Sequence, residues 1–217
     1  MKSSRTITIR FIRHGTTEHN ERKIFQGHSD GPDNALSEKG KRQIEEYSER
    51  FDAVPIDAIF SSDLTRSRQT AEVIAKHHNL TVNTNPLLRG KRMGHFEGVS
   101  VKEYLEKNGE ALKKFQTLPE NEQWKHKIDI DMESNEEVLN RLMVFLKKIH
   151  RNFSGDNILI VTHGGTIRNL LFHLGWAKQH ELKTGSVDNG GFITVTFDGN
   201  NFQLKEIVGV TKNFVIS

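Results

Sequence analysis

The chain has 217 residues, with Lys+Arg 31 against Asp+Glu 28 and a formal net charge of +3. It contains no cysteine, which excludes a disulfide framework, a Cys-ligated zinc site and a phosphatase built on a thiolate. One domain of this length buries roughly 70% of its unfolded surface, enough for a core without staples. The small positive charge admits an anionic ligand. No long basic block calls for nucleic acid. The polar start at Met1 and the apolar stretch broken by Arg10 do not have the form of a signal peptide, and no run is long and apolar enough to span a bilayer. No membrane partner and a cytoplasmic location are therefore expected.

In chain order, Thr6–Ile12 alternates, with Ile7, Ile9 and Phe11 on one side, and reads as a strand. Gly15–Asn34 reads as a long loop. A helix follows Ser37, with Ile44, Tyr47 and Phe51 on one face. Asp57–Ser61 reads as a short strand. Residues 66–78 read as a helix, with Ala71, Ile74, Ala75 and His78 at helical spacing. Asp63 is expected to cap that helix.

Residues 99–133 are rich in Lys and Glu, with isolated Tyr104, Phe115 and Trp124, and read as a helical insert broken at Pro119. Two roles fit it: a solvated helical face, or a roof over a pocket, with Lys113, Lys114, Lys125 and Lys127 helping to choose substrates. Asp129-Ile130-Asp131 follows no apolar strand and reads as a loop. Ser134 to Glu137 spells a capping box, and Val138, Leu142, Phe145 and Ile149 mark the buried stripe of a long helix. Asn157–Thr162 is the strongest buried-strand signal. Thr166–Leu174 is a short helix, and Phe192–Phe197 with Phe202–Val210 is a hairpin around Asp198-Gly199-Asn200. Without repeats or linkers, the chain reads as one domain over 1–217, an α/β sandwich with a mostly parallel sheet.

Three polar segments sit just past expected strands. These are Arg13-His14-Gly15, Ser61-Ser62-Asp63-Leu64-Thr65-Arg66 and His163-Gly164-Gly165. Ligands of open α/β sheets bind beyond the carboxyl ends of strands, and a helix opening after His163 favours an anion. Two histidines, two arginines and no metal-ligand cluster suit phosphoryl transfer. Arginine forks match phosphate oxygens, and a neutral imidazole attacks phosphorus.

Arg13-His14-Gly15-Thr16-Thr17 with Asn20, then Gln26-Gly27, then residues 61–71, then Val161 to Arg168, resemble in order the blocks of the histidine phosphatase superfamily, also called phosphoglycerate mutase-like. The resemblance runs from about residue 6 to residue 210 and is weakest over 99–133. It implies a three-layer α/β/α sandwich around a mixed, mostly parallel six-stranded sheet with one antiparallel edge strand. It further implies that His14 is the phosphorylated nucleophile, that Arg13 and Arg66 hold the phosphate, and that His163 stabilises the transition state. Asn20, Gln26 and the Gly164 N–H fall where relatives contact phosphate or substrate. No cofactor or metal is implied, and the expected partner is a phosphorylated small molecule.

One block departs from the family pattern. Leu88-Arg89-Gly90-Lys91-Arg92-Met93-Gly94-His95-Phe96-Glu97-Gly98 aligns except at Gly90, where the family carries its general-acid Glu. Thr16 offers no carboxylate, and Glu97 reads as structural. Loss of the acid should cost about 10²–10⁴ in rate for poor leaving groups, and Gly90→Glu should restore it. A good leaving group, a substitute such as Glu18, or an engineered substitution all fit Gly90. The resemblance therefore implies a metal-independent phosphatase working through phosphohistidine. A phosphoglycerate-type mutase and a phosphate-binding pseudophosphatase are the alternatives. The mutase's usual Glu-Arg-His-Tyr-Gly stretch is absent.

Overall fold

The computed structural model describes residues 5–213. Its centre is a six-stranded sheet in the order β3-β2-β4-β1-β5-β6, formed by β1 (Ile7–Arg13), β2 (Ala58–Ser61), β3 (Val82–Thr84), β4 (Asn157–Thr162), β5 (Val187–Phe197) and β6 (Phe202–Val210). Strands β1, β4, β2 and β3 are mutually parallel, β5 is antiparallel to β1, and β6 is antiparallel to β5. The one strand running against the others is thus β5, inside the edge, and not the edge strand itself. A hairpin returns the chain to the common direction in β6.

The pattern of β1 explains the layering. Ile7, Ile9 and Phe11 face one cluster with Ile158 and Ile160 of β4, roofed by α6 (Asn135–Asn152) and α7 (Gly164–His173). Ile12, Leu159 and Val161 face the other way, onto α2 (Glu38–Ser48) and α3 (Thr65–His78). β4 is apolar on both faces because helices cover both. The α6 stripe buries Leu142, Phe145, Leu146 and Ile149, each contributing about 1.5–3 kcal/mol relative to exposure. The expected capping box starts α6: Ser134 Oγ accepts from Glu137 N at 3.1 Å, and Glu137 Oε2 accepts from Ser134 N at 2.7 Å.

Several boundaries differ from the sequence reading. The stretch after Gly15 contains a one-turn helix α1 (Glu18–Glu21), whose Thr17 cap bonds Asn20. The last parallel strand, β3, is three residues long and lies at the sheet edge, too short and too exposed to show a period. β5 begins at Val187 because Gly190 and Gly191 interrupt the pattern without ending the strand, at the cost of a register shift. The insert forms α4 (Val101–Thr117) and α5 (Glu120–Lys125), broken at Pro119 as expected. Asp63 does not cap α3. Its carboxylate is taken by Arg89, at 2.7 and 2.6 Å. Asp30, from a different loop, accepts from Thr65 N at 2.8 Å instead.

Candidate active site

The carboxyl ends of β1, β2 and β4 deliver the three polar segments to one cavity of about 900 Å³, lined by Arg13, His14, Asn20, Gln26, Arg66, Gly90, His163 and Gly164 among others. His14 follows β1, and its backbone N–H donates to Thr162 O at 3.0 Å, continuing the β1–β4 ladder by one residue. The His14 Nδ1 lies 2.8 Å from Gly15 O. A carbonyl only accepts, so Nδ1 carries the proton and Nε2 keeps its lone pair. The ring is 3% exposed. Burial, then Arg66 and Arg13, hold its pKa well below the ordinary histidine value, so it is neutral at neutral pH.

His163 caps α7 after β4. Its Nε2 lies 3.2 Å from Ser67 Oγ, and its ring meets that of His14 edge-on at 5.1 Å between centroids. Burial, then Arg66 and His14, also depress its pKa strongly. The two rings are close enough for hydrogen bonds to one tetrahedral anion.

The arginines reach the same place differently. Arg13 donates to Val187 O, and burial, then Arg168, lower its pKa to about 10. Arg66 is 1% exposed. It donates through Nη1 to Ser29 O at 3.0 Å and through Nη2 to Gly27 O at 2.8 Å. Its Nε is buried and has no hydrogen-bond partner among the described residues. The family blocks at 26–27 and 61–66 therefore meet physically, because the Arg66 fork clamps the turn that carries Gln26. Asn20 Oδ1 accepts from Thr17 and from Asn189 Nδ2, which fixes the amide's orientation. Gln26 is 8% exposed and accepts from Asn34 Nδ2 at 3.3 Å. Gly164 is the first residue of α7, so its N–H belongs to the helix's unpaired set.

Gly90 lies at the cavity wall. Its carbonyl accepts from His28 Nε2 at 2.8 Å and Arg141 Nη2 at 2.7 Å. A Cβ placed there would come 2.9 Å from Cγ and 3.0 Å from Cβ of His163. The space a side chain would need is thus filled by the root of the imidazole. Glu18 is exposed and is not among the lining residues, and Thr16 Oγ1 is bonded to Gln43 Oε1 at 2.8 Å. Glu97 has the structural role expected of it, accepting from His28 N, Met93 N and Ser29 Oγ. Among the described residues Asp188 is the one carboxylate lining the cavity, against Arg13, Lys23, Arg66, Lys91, Arg168 and Lys183.

The insert divides between the two roles open to it. Tyr104, Leu105, Leu112, Phe115 and His126 line the cavity, whereas Trp124 and Lys113, Lys114, Lys125 and Lys127 do not. Lys113 pairs with Glu110 and Lys127 with Glu137 at the surface. The Asp129–Asp131 segment is a loop, in which Asp131 N donates to Asp129 Oδ1. It gathers with His95 into a cluster of metal-ligating types outside the cavity lining.

Asn189 and Asp188 escape the sequence reading. Asn189 Nδ2 bonds His14 O, Gly15 O and Asn20 Oδ1, at 2.9, 3.1 and 3.1 Å, so β5 holds the loop that carries the histidine. Its only sequence signal, Asn followed by two glycines, reads as a turn.

Comparison with known proteins identifies the family and the fold. The chain is 33% identical over 165 residues to phosphoglycerate mutase-like protein 4 of Arabidopsis thaliana, covering 73% of this chain and 67% of that one. It is 32% identical over 186 residues to a broad-specificity phosphatase of Saccharomyces cerevisiae, covering 82% and 74%. In fold it is similar to a phosphoglycerate mutase of Bacillus anthracis, with TM-score 0.80, 24% identity and 95% and 94% of the two chains covered. It is equally similar to a mycobacterial glucosyl-3-phosphoglycerate phosphatase, with TM-score 0.79, 21% identity and 94% and 100% covered. The sequence model of branch 1 of the histidine phosphatase superfamily matches residues 9–208, and the chain belongs to that family.

Proposed function

We propose that the protein is a metal-independent phosphatase that hydrolyses a phosphomonoester through a phosphohistidine on His14. The observation that carries the reading is the edge-on pair of neutral, buried imidazoles, 5.1 Å apart, in the field of Arg66 from the first turn of α3, with Arg13 at the end of β1 also acting on His14. His14 Nε2 attacks phosphorus while its Nδ1–H stays on Gly15 O, and the P–O bond to the leaving oxygen breaks, with solvent water supplying that oxygen's proton because Gly90 offers no acid. Water then attacks the phosphohistidine and releases inorganic phosphate and free His14. Arg13 and Arg66 neutralise the phosphoryl oxygens, and the unpaired Arg66 Nε gains an acceptor there. Protonated in the complex, His163 donates to the same oxygens. The Gly164 N–H at the start of α7 adds a further donor. Asn20 and Gln26 contact the bound phosphate from the loop side, and the α4–α5 insert bounds the leaving group.

The yeast relative's description as a broad-specificity phosphatase supports hydrolysis over mutase chemistry. The missing carboxylate at Gly90 favours a second reading, in which the site binds phosphate without turnover. p-Nitrophenyl phosphate separates the two. Turnover with an acid-labile, base-stable phosphoenzyme that His14→Ala abolishes is the expected result. Phosphate binding without turnover supports the second reading. Conversion of 3- to 2-phosphoglycerate would support the mutase.

A further inference from the structure

The loop that carries His14 is pressed onto an element that supplies no reacting group. A Cβ on Gly15 would lie 2.6 Å from Ile44 Cγ1 and 3.2 Å from Gly40 O, both in α2. A Cβ on Gly40 would in turn lie 2.0 Å from Thr16 O. The backbones of α2 and of the loop therefore touch with no side chain between them. Gly15 N also donates to Thr70 Oγ1 of α3 at 3.0 Å.

Two side-chain amides close this junction. Asn189 Nδ2 faces three acceptors, His14 O, Gly15 O and Asn20 Oδ1, and Asn20 Oδ1 already accepts from Thr17 N. Only the nitrogen end of the Asn189 amide can face them. Gln43 of α2 donates through Nε2 to Asn189 O at 3.0 Å and accepts through Oε1 from Thr16 Oγ1 at 2.8 Å. One end of its amide is thus held in β5 and the other in the nucleophile loop. The chain of bonds ends on the carbonyl that the nucleophile uses, because Gly15 O accepts from both His14 Nδ1 and Asn189 Nδ2. The second N–H fixes where that carbonyl points, and with it the imidazole plane. It also brings the positive end of an amide dipole within two hydrogen bonds of the ring, which disfavours the imidazolium.

We propose that Asn189 and Gln43 are positioning residues for attack by His14: Asn189 sets the plane and tautomer of the ring through Gly15 O, and Gln43 holds Asn189 in register with the loop. The proposal rests on the phosphatase reading for the attack itself. The charged and titratable groups facing His14 are Arg13 from β1, Arg66 from α3 and His163 ahead of α7. Asp188, beside Asn189 on β5, acts on Arg13. Substitutions at 189 and 43 leave all four in place, so a change in the titration of His14 reports the amide and not a lost charge.

The test compares Asn189→Ala, Asn189→Asp and Gln43→Glu with the unaltered protein on p-nitrophenyl phosphate. Asn189→Ala should lower kcat about 10- to 100-fold, the scale of a small misplacement of a reacting group. KM should move little, because Arg13 and Arg66 keep anchors of their own on Val187 O, Ser29 O and Gly27 O. The acid limb of kcat/KM, which reports the free protein, should move to higher pH in Asn189→Ala. It should move farther in Asn189→Asp, by about one pH unit or more, because a carboxylate there favours the imidazolium. Gln43→Glu keeps the acceptor for Thr16 and loses the donor to Asn189 O, so kcat should fall only about 3- to 10-fold, the worth of one hydrogen bond. A purely structural role would reduce the active fraction and leave the limb where it is. An acid limb that stays in place in both Asn189 variants, or a kcat unchanged in all three, overturns the proposal. Should the Asn189 variants fail to fold, an unchanged kcat in Gln43→Glu overturns it alone. Ring 15N NMR titration of His14, its signal identified by its loss in His14→Ala, reads the same order without turnover. Should p-nitrophenyl phosphate not turn over, the phosphatase reading fails separately. The titration then decides: the expected order supports positioning, and no movement overturns it.

Discussion

The floor and the roof of the cavity are built on opposite principles. On the floor, His14, Arg66 and His163 are 3%, 1% and 5% exposed; His14 is held by the carbonyl of Gly15 beside it, Arg66 by Ser29 O and His163 by Ser67 of α3. Position there is set by strand ends whose ladders fix the chain to within a hydrogen bond. The roof comes from α4 and α5, where Tyr104 and Val101 are the buried residues of α4 and α5 has none. Phe115 touches His126 of the same insert at 5.4 Å between ring centroids. A floor built this way determines chemistry, and a roof built this way adjusts fit. The two should respond to mutation on different scales.

The largest effect belongs to the floor. His14→Ala should lower kcat on p-nitrophenyl phosphate by on the order of 10⁴-fold or more, as loss of a covalent nucleophile does. Steady-state assay and phosphoenzyme trapping check it, and a protein that keeps its turnover would break the distinction between floor and roof. Arg141 comes next. It donates to Leu87 O, Arg89 O and Gly90 O and pairs with Glu133 at 2.9 Å, fastening the Gly90 wall to α6. Arg141→Met removes a donor from each of those carbonyls, of which Gly90 O keeps His28 and Arg89 O keeps Thr166, and it takes the arginine partner from the largely buried Glu133. It should cost about 3 kcal/mol in denaturant unfolding.

Gly90→Glu sharpens the comparison, because sequence and geometry predict opposite signs. By sequence pattern alone the substitution restores an acid and raises the rate on alkyl phosphates. In the structure its Cβ meets Cγ and Cβ of His163, atoms near the backbone that cannot swing aside. Overpacking of this kind costs about 1–3 kcal/mol. The expected outcome is a fall in kcat/KM of about tenfold or more on aryl and alkyl esters alike. A selective gain on alkyl esters would show that His163 yields readily.

A pH profile probes the floor without mutation. Burial with Arg66 and Arg13 disfavours the imidazolium of His14, so its folded pKa lies well below 6.5. Acid inactivates by protonating the nucleophile, so kcat/KM should hold through pH 6.5 and fall only well below it. An acid limb centred at or above 6.5 would mean that the arginine field does not act on the ring. The unfolded chain takes up protons from about pH 6.5 downward while the folded site resists them. Stability should therefore also decline on acidification, beginning near that value.

What could be read in the sequence follows the same division. β1, α3 and α6 are legible because each buries a periodic stripe, β4 because it is a continuous apolar run buried on both faces, and two of the polar blocks because they directly follow those strands. Asp63 was misread because an acid just before a helix fits a cap, and only tertiary structure brings Arg89 within 2.7 Å of it. Asn189 gives no local signal. Its role comes from contacts across 169 to 175 positions of chain. The insert stayed ambiguous because its aromatics and lysines share helices, and periodicity does not say which face meets a cavity.

The smallest predicted effect lies on the roof. Phe115 is half-buried, packs on His126 and lines the cavity from the insert. Removing its ring deletes apolar contact with the leaving group and touches no group that bonds the phosphate. Partial loss of such a contact is worth about 1 kcal/mol or somewhat more. Because leaving-group contact is made in the ground and transition states alike, the loss should appear in KM and leave kcat little changed. Phe115→Ala should therefore raise KM about 3- to 10-fold for an aryl ester and less for a small alkyl ester. Substrate profiling of kcat and KM separately checks it. If kcat instead falls with KM constant, the roof closes in the transition state and belongs with the floor in setting the chemistry. If neither moves, α4 covers the cavity without gripping its contents, and selection among substrates rests on other parts of the cavity lining.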